Sequence, residues 1–431
     1  MNLSEDVLNN IRAGAGGTFA GRIIKMYNHG NVCLMRLSSN GERIRIVTKH
    51  GITENYKELI GLLTIGSYIC GTGQKQLSHH GEEILAAEIN IVRKNYLPEQ
   101  ETGLLENCLF TLSDRKKYYH SYICTDDKCA MNIQARASIL WALRYFLHEN
   151  GYMECTTPVM SRFFHGGGSQ AFITHMRDSD RDLYMRITSE IALKLIIGVT
   201  FLKVFEVGYS FRNGSVSAMY ETPFYASEIY SAFINENENI NFGLAIIRAI
   251  ERELNDIFTL FHFEKQISFL GEVPIVSFED YYKQKCGDEF NWDALVKDNY
   301  QSGNMCSDVY KLFKKKLIVN QKTPIIISDL PAGISPLIQK KTQGKLCRSY
   351  LVANGATLME YAIGENDPEK LEQELTKQRK KQADRYLRDD SALLHAYRMG
   401  MPLIGSIFLG IDRIIPALVG VENINDLAMK M

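Results

Sequence analysis

The sequence is short of the features that mark export, membrane insertion or bulk nucleic-acid binding. No run of about 18 apolar residues occurs, because Lys194 and Lys203 interrupt the greasiest stretch, and this excludes a membrane-spanning helix. The opening Met1-Asn2-Leu3-Ser4-Glu5-Asp6 carries acids where a secretory signal carries bases. The nine cysteines form no Cys-x-x-Cys pair, which argues against a four-thiolate zinc site. Their odd number fits reduced thiols in a cytoplasm better than a disulfide framework. A charge excess is missing as well: 49 Lys and Arg face 50 Asp and Glu, which gives no support for a histone-like or polybasic-tail protein. Any nucleic-acid contact has to come from a local basic surface. There is no internal repeat and no low-complexity tract.

What is present is an ordinary globular composition over a long chain. The 431 residues are 45% hydrophobic and 23% charged, enough to bury large cores and to form about two or three domains. From Thr18 to about Tyr96, short β-rich runs alternate with the turns Asn28-His29-Gly30, Ser39-Asn40-Gly41 and His79-His80-Gly81. Five strands with one helical insert near Glu54–Leu63 predict a small Greek-key barrel of the OB type, with a sandwich or docking module as the alternative. His29 and His79-His80 read as solvated turn residues, and no metal is assigned to them. Residues 1–95 carry 11 Lys/Arg against 8 Asp/Glu, a surplus of three. Residues 1–17 are expected to be an N-terminal extension, 18–96 the barrel, 97–110 a linker and 111–431 the second domain.

Beyond the linker the periodicity changes. Apolar residues at helical spacing predict a helix over Ala130–Asn150 stopped by Gly151. Leu202–Val207 and Phe224–Phe233 alternate as the two strands of a large hairpin. Asp367-Pro368 opens a charged helix expected to reach about Arg388. Gly405–Val419 reads as a strand, Asp412-Arg413 and a helix.

Three of these segments, in this order, resemble the signature motifs of class II aminoacyl-tRNA synthetases. Glu154–Pro158 after the helix resembles the first, Phe205–Asn213 the second and Gly410-Ile411-Asp412-Arg413 the third. The match is nearest the lysyl-tRNA synthetase subgroup, through Ala171–His175, Leu183–Ile187 with Glu190, Lys203–Glu206, Leu330–Pro336 and Ala20-Gly21-Arg22. The resemblance implies an α+β protein: an N-terminal OB-fold barrel, then an antiparallel-sheet catalytic domain flanked by helices. It implies ATP and Mg2+ as cofactors, a homodimer, and activation of lysine or a lysine-like amino acid as an aminoacyl-adenylate for transfer to an acceptor. It gives Arg212 and Arg413 catalytic roles and assigns Arg212, Asn213, Phe224 and Arg413 to ATP. Gly167, Glu190, Glu228 and Tyr230 are assigned to the amino acid. A bidentate arginine suits this chemistry because an attacking carboxylate and the α-phosphate must be held together.

Several positions depart from the family pattern. Gly214 stands where a glutamate reads adenine, and Met219-Tyr220 where an Arg-His pair holds the γ-phosphate. Tyr350 and Thr357 take the places of two magnesium carboxylates. Glu360, Ala362 and Gly364 replace an Asn, a Phe and a Glu that hold the lysine side chain, with Glu360 and Glu365 as nearby acids. Ser406 and Phe408 occupy a strand usually rich in glycine, and Leu34 stands where an aromatic stacks on an anticodon base. The expected tRNA contact is therefore weak. Alternatives to tRNA charging are a ligase acting on a protein or metabolite acceptor, and a catalytically silent binding or regulatory paralogue.

Overall fold

The computed structural model describes residues 17–39, 42–79, 81–97, 101–103, 105, 117–165, 169–214, 222–286, 317–331, 337–342, 345–382 and 386–419. The chain divides into two compact units, residues up to 134 and residues 135–427.

The first unit is a closed barrel. Strands β1 (Thr18–Asn28), β2 (Val32–Ser39), β3 (Glu42–Lys49), β4 (Tyr68–Ser78) and β5 (Gly81–Arg93) close in the order β1-β2-β3-β5-β4. The β3–β5 pair is parallel and the others are antiparallel, which is the OB arrangement. Alternation explains the closure, since Phe19, Ile23, Met35, Leu37, Ile46, Ile69 and Ile84 turn inward and fill the interior. Helix Tyr56–Leu62 lies between β3 and β4, where the insert was expected. Tyr122 and Cys129, from helices Tyr119–Thr125 and Asp127–Glu149, extend the same core.

The second unit is built on an eight-stranded sheet of order β12-β13-β14-β15-β16-β11-β10-β6. Its strands are β6 (Met153–Glu154), β10 (Lys203–Ser210), β11 (Phe224–Ala232), β12 (Ile275–Ser277), β13 (Ile325–Ser328), β14 (Arg348–Ala353), β15 (Ala356–Ile363) and β16 (Ile404–Gly410). A small sheet of β7 (Met160–Ser161), β8 (Ile173–Met176) and β9 (Arg181–Met185) accompanies it. The sheet is antiparallel except for β12–β13 and β6–β10 at its two edges. One face is backed by helix Glu236–Leu260, whose start is fixed by reciprocal capping between Asn235 and Glu238. Gly243 of this helix sits directly over Tyr361: a Cβ there would lie 2.2 Å from the ring. Asn239 Nδ2 donates to the carbonyls of Ala362 and Ser406, tying the helix to β15 and β16.

The helix expected over Ala130–Asn150 spans Asp127–Glu149 and stops at Gly151, which has φ +79°. The charged helix spans Pro368–Gln382, short of the expected Arg388. By residue 386 tertiary contacts have displaced helical ones: Tyr386 stacks on Phe164 at 4.4 Å, and Leu387 N–H donates to Tyr184 Oη at 3.0 Å. Among the described residues no helix is long and apolar enough to cross a membrane, and Cys33, Cys70, Cys124, Cys129, Cys155 and Cys347 are free thiols.

Candidate functional site

The open face of the sheet carries two cross-strand rows. Pairing across β14, β15, β16 and β11 aligns Tyr350, Glu360, Phe408 and Glu228 in one row, and Arg348, Ala362, Ser406 and Tyr230 in the next. All eight line a cavity of about 270 Å³, closed further by Ile187, Thr188, Glu190, Lys194, Arg212, Leu337, Ile338 and Gly364. A sheet floor suits such a site because alternate residues of neighbouring strands point the same way and are held by the ladder.

Glu228 is buried and takes up its acceptor capacity within the protein. Its Oε1 accepts from Thr188 Oγ1 at 2.7 Å and from Ser189 N–H at 3.0 Å, and its Oε2 accepts from Tyr230 Oη at 3.0 Å. Burial pushes the carboxyl upward and outweighs these donors, which act in the opposite direction. Burial also pushes Tyr230 well above the ordinary phenol value, with the neighbouring carboxylates Glu228 and Glu190 adding to the shift.

Glu190 begins helix Glu190–Ile197 and meets Lys194 one turn on, with Nζ at 2.8 Å from Oε1. Lys194 is only 2% exposed. Burial works to lower its pKa, but the Glu190 charge and the Tyr397 hydroxyl reverse this and hold it above the ordinary range. Across the cavity Arg348 forms an ion pair with Glu360 and packs over Tyr350. Beside the cavity Thr157, Arg186 and Glu206 form a buried hydrogen-bonded cluster that joins the first motif segment to β10.

The expected residues are thus partly brought together. Glu190, Glu228, Tyr230 and Arg212 share one cavity. The Arg212 guanidinium lies 4.9 Å from the Phe224 ring centre and 5.9 Å from that of Phe408, and its Nε donates to the Ile187 carbonyl. Phe224 and Phe408 meet edge to face at 6.3 Å, so the residue flagged on the third motif strand packs against the ring assigned to adenine. Arg413 is not among the lining residues; its Nη1 donates to the Thr357 carbonyl at 2.8 Å. Asn213 is exposed and its N–H donates to the Gln170 carbonyl. Gly167 and Met219-Tyr220 lie outside the described residues. Asp412 bridges elements: one oxygen pairs with Arg136 of the long helix and the other accepts from Tyr225 N–H of β11 at 2.7 Å.

Sequence reasoning missed the Thr188 and Ser189 donors, Lys194 and the Arg348–Glu360 pair. The Glu190-to-Lys194 spacing of four was the one readable signal. Glu365 is no substitute within the cavity, since its Oε1 accepts from the Asn366 and Asp367 amides of its own loop. The residues present do not fit a carboxylate cage for magnesium: Glu360 is committed to Arg348, Glu228 to three donor groups, and Tyr350 and Thr357 offer no carboxylate. Among the described residues no group of three or more His, Cys, Asp or Glu side chains is placed to hold a metal ion.

In the barrel, Leu34, expected above to replace a stacking aromatic, stands 39% exposed. Tyr27 lies directly opposite it on β1, 55% exposed.

The fold and the sheet-floored cavity correspond to one class of protein. The family model of class II tRNA synthetases (D, K and N) matches residues 113–429, and the chain belongs to that family. Its similarity extends through the barrel to lysine-tRNA ligases. That of Dehalococcoides mccartyi is 25% identical over 95% of this chain and 86% of its own length. That of Fervidobacterium nodosum is 26% identical over 94% and 82%, and that of Thermoanaerobacter pseudethanolicus 26% over 99% and 89%.

Proposed function

We propose that this protein activates an amino acid with ATP as an aminoacyl-adenylate and transfers it to an acceptor, in the manner of lysyl-tRNA synthetases. The observation that carries the reading is the convergence of Arg212 with Glu190, Glu228 and Tyr230 on one cavity. In this reading Arg212 holds the substrate carboxylate against the α-phosphate, where charge moves as the new bond forms. Glu190 holds the α-ammonium. Phe224 stacks on adenine, and Arg413 serves the nucleotide's outer phosphates. Glu228 and Tyr230 give the amino acid a fixed wall.

tRNA is the acceptor favoured by the barrel, whose exposed Tyr27 supplies a π-face beside the apolar Leu34. The same reading makes the protein a homodimer that works in the cytoplasm. Amino-acid-dependent exchange of pyrophosphate into ATP tests it. Exchange with at least one common amino acid is expected. A protein that binds nucleotide or amino acid without exchanging is instead a silent regulatory paralogue.

A further inference from the structure

The cavity's own ionic pairing restricts which side chain it can take. Three carboxylates line it among the described residues, and each is already engaged. Glu360 is paired with Arg348 and Glu190 with the buried Lys194, while Glu228 accepts from Thr188, Ser189 and Tyr230. A bound amino acid brings its α-ammonium, which Glu190 must share with Lys194. A second ammonium, on the side chain, finds no carboxylate left, and burying an unpaired cation is strongly unfavourable.

The space beside these groups has the opposite character. The row between Arg348 and Tyr230 is floored by the small Ala362 and Ser406, with Leu337 and Ile338 nearby. Gly364 lines this end, where a Cβ would make ordinary contacts at 3.5 Å from the Ile404 carbonyl oxygen and 3.8 Å from Lys194 Nζ. A slot two strands wide, with small residues on its floor and aliphatic groups at its edge, fits a bulky uncharged side chain.

Resting on the activation reading above, we propose that the substrate is an amino acid with a large neutral side chain, of the leucine, methionine or aromatic type, and that cationic side chains are rejected. The test is pyrophosphate exchange with the full-length protein across all common amino acids. The expected result is a kcat/KM at least tenfold higher for one of leucine, methionine, phenylalanine or tyrosine than for lysine. Ala362→Leu, which fills the slot, is expected to cut that preferred activity at least tenfold. A best substrate among lysine, arginine, the acids or the smallest amino acids overturns the inference and leaves the activation reading standing. Exchange with none overturns the activation reading, and calorimetry with leucyl-, phenylalanyl- and lysyl-sulfamoyl adenosine then decides the side-chain question. Tighter binding of either neutral analogue supports the inference; tighter binding of the lysyl analogue, or binding of none, overturns it.

Discussion

At the scale of single residues, the proposed activation separates groups whose interactions would change during reaction from groups whose interactions would not. In the proposed activation Arg212 bridges two anions only as they combine, so Arg212→Ala is expected to lower kcat for activation more than tenfold, about 1.4 kcal/mol or more. Glu190 is proposed to hold an ammonium whose charge is constant, so Glu190→Gln is expected chiefly to raise KM. The ion pair adds a second consequence. Removing the Glu190 charge leaves the Lys194 ammonium, 2% exposed, without its carboxylate. Glu190→Gln should therefore also destabilise the fold, by up to about 3 kcal/mol. Adding Lys194→Met should restore the melting temperature while KM stays high. A double variant that recovers both would show that Glu190 acts only through Lys194.

Glu228 makes a prediction about pH at the same scale. Burial raises its pKa above the ordinary 4.5 despite its donors. Between 4.5 and that raised value, the folded state holds a proton that the unfolded state has released. Stability carried by this group therefore falls as pH rises through that window, the reverse of a salt-bridged carboxylate. Glu228→Gln cannot titrate, so its melting temperature should rise relative to the wild type as pH is raised above 4.5. Scanning calorimetry at stepped pH measures the difference, and a difference that stays flat counts against the assignment.

At the scale of elements, what the sequence discloses depends on how each strand or helix is exposed. The barrel strands are set off by turn residues, the β10–β11 hairpin carries the second motif although β11 is buried at six consecutive positions, and Gly151 marks a true helix stop, so these were legible. Strands β13 and β14 were not, because Ile325–Ile327 and Leu351–Ala353 are buried without a break and show no period of two. The end of the charged helix was also hidden, since it depends on Tyr386 finding Phe164, distant in sequence. Within the site, Arg212, Glu190, Glu228 and Tyr230 were readable because they sit in ordered motifs. Arg348 and Glu360 meet only through strand register, and no local pattern marks a pair made by two neighbouring strands. Gly243 is similar: its need for glycine comes from Tyr361. With a Cβ placed 2.2 Å from that buried ring, Gly243→Ala forces the helix away from β15. The expected cost is about 1–3 kcal/mol, read as a lower denaturation midpoint. A loss of unfolding free energy below about 0.5 kcal/mol would mean that helix and sheet are less tightly joined than the contact implies.

At the scale of the whole molecule, the second unit has apolar surface that one copy of the chain does not cover. Trp141 and Tyr145, 58% and 55% exposed, lie on consecutive turns of the Asp127–Glu149 helix and stack with ring centres 5.1 Å apart. Val159 and Met160, 41% and 50% exposed, follow the first motif segment. Aromatic side chains that are already ordered lose little entropy on docking, and an exposed cluster of this kind is more often an interface than a solvated surface. A two-fold axis would let each copy present the same patch to the other, so the contact closes on itself and stops at two chains. The expected assembly is a dimer of twice 49.0 kDa. Light scattering at micromolar concentration should return that mass, and Trp141→Glu, which places a charge in the patch, should shift it toward 49.0 kDa. A wild type that is already monomeric at that concentration would remove the dimer. A dimer indifferent to Trp141→Glu would move the interface to another face of the unit.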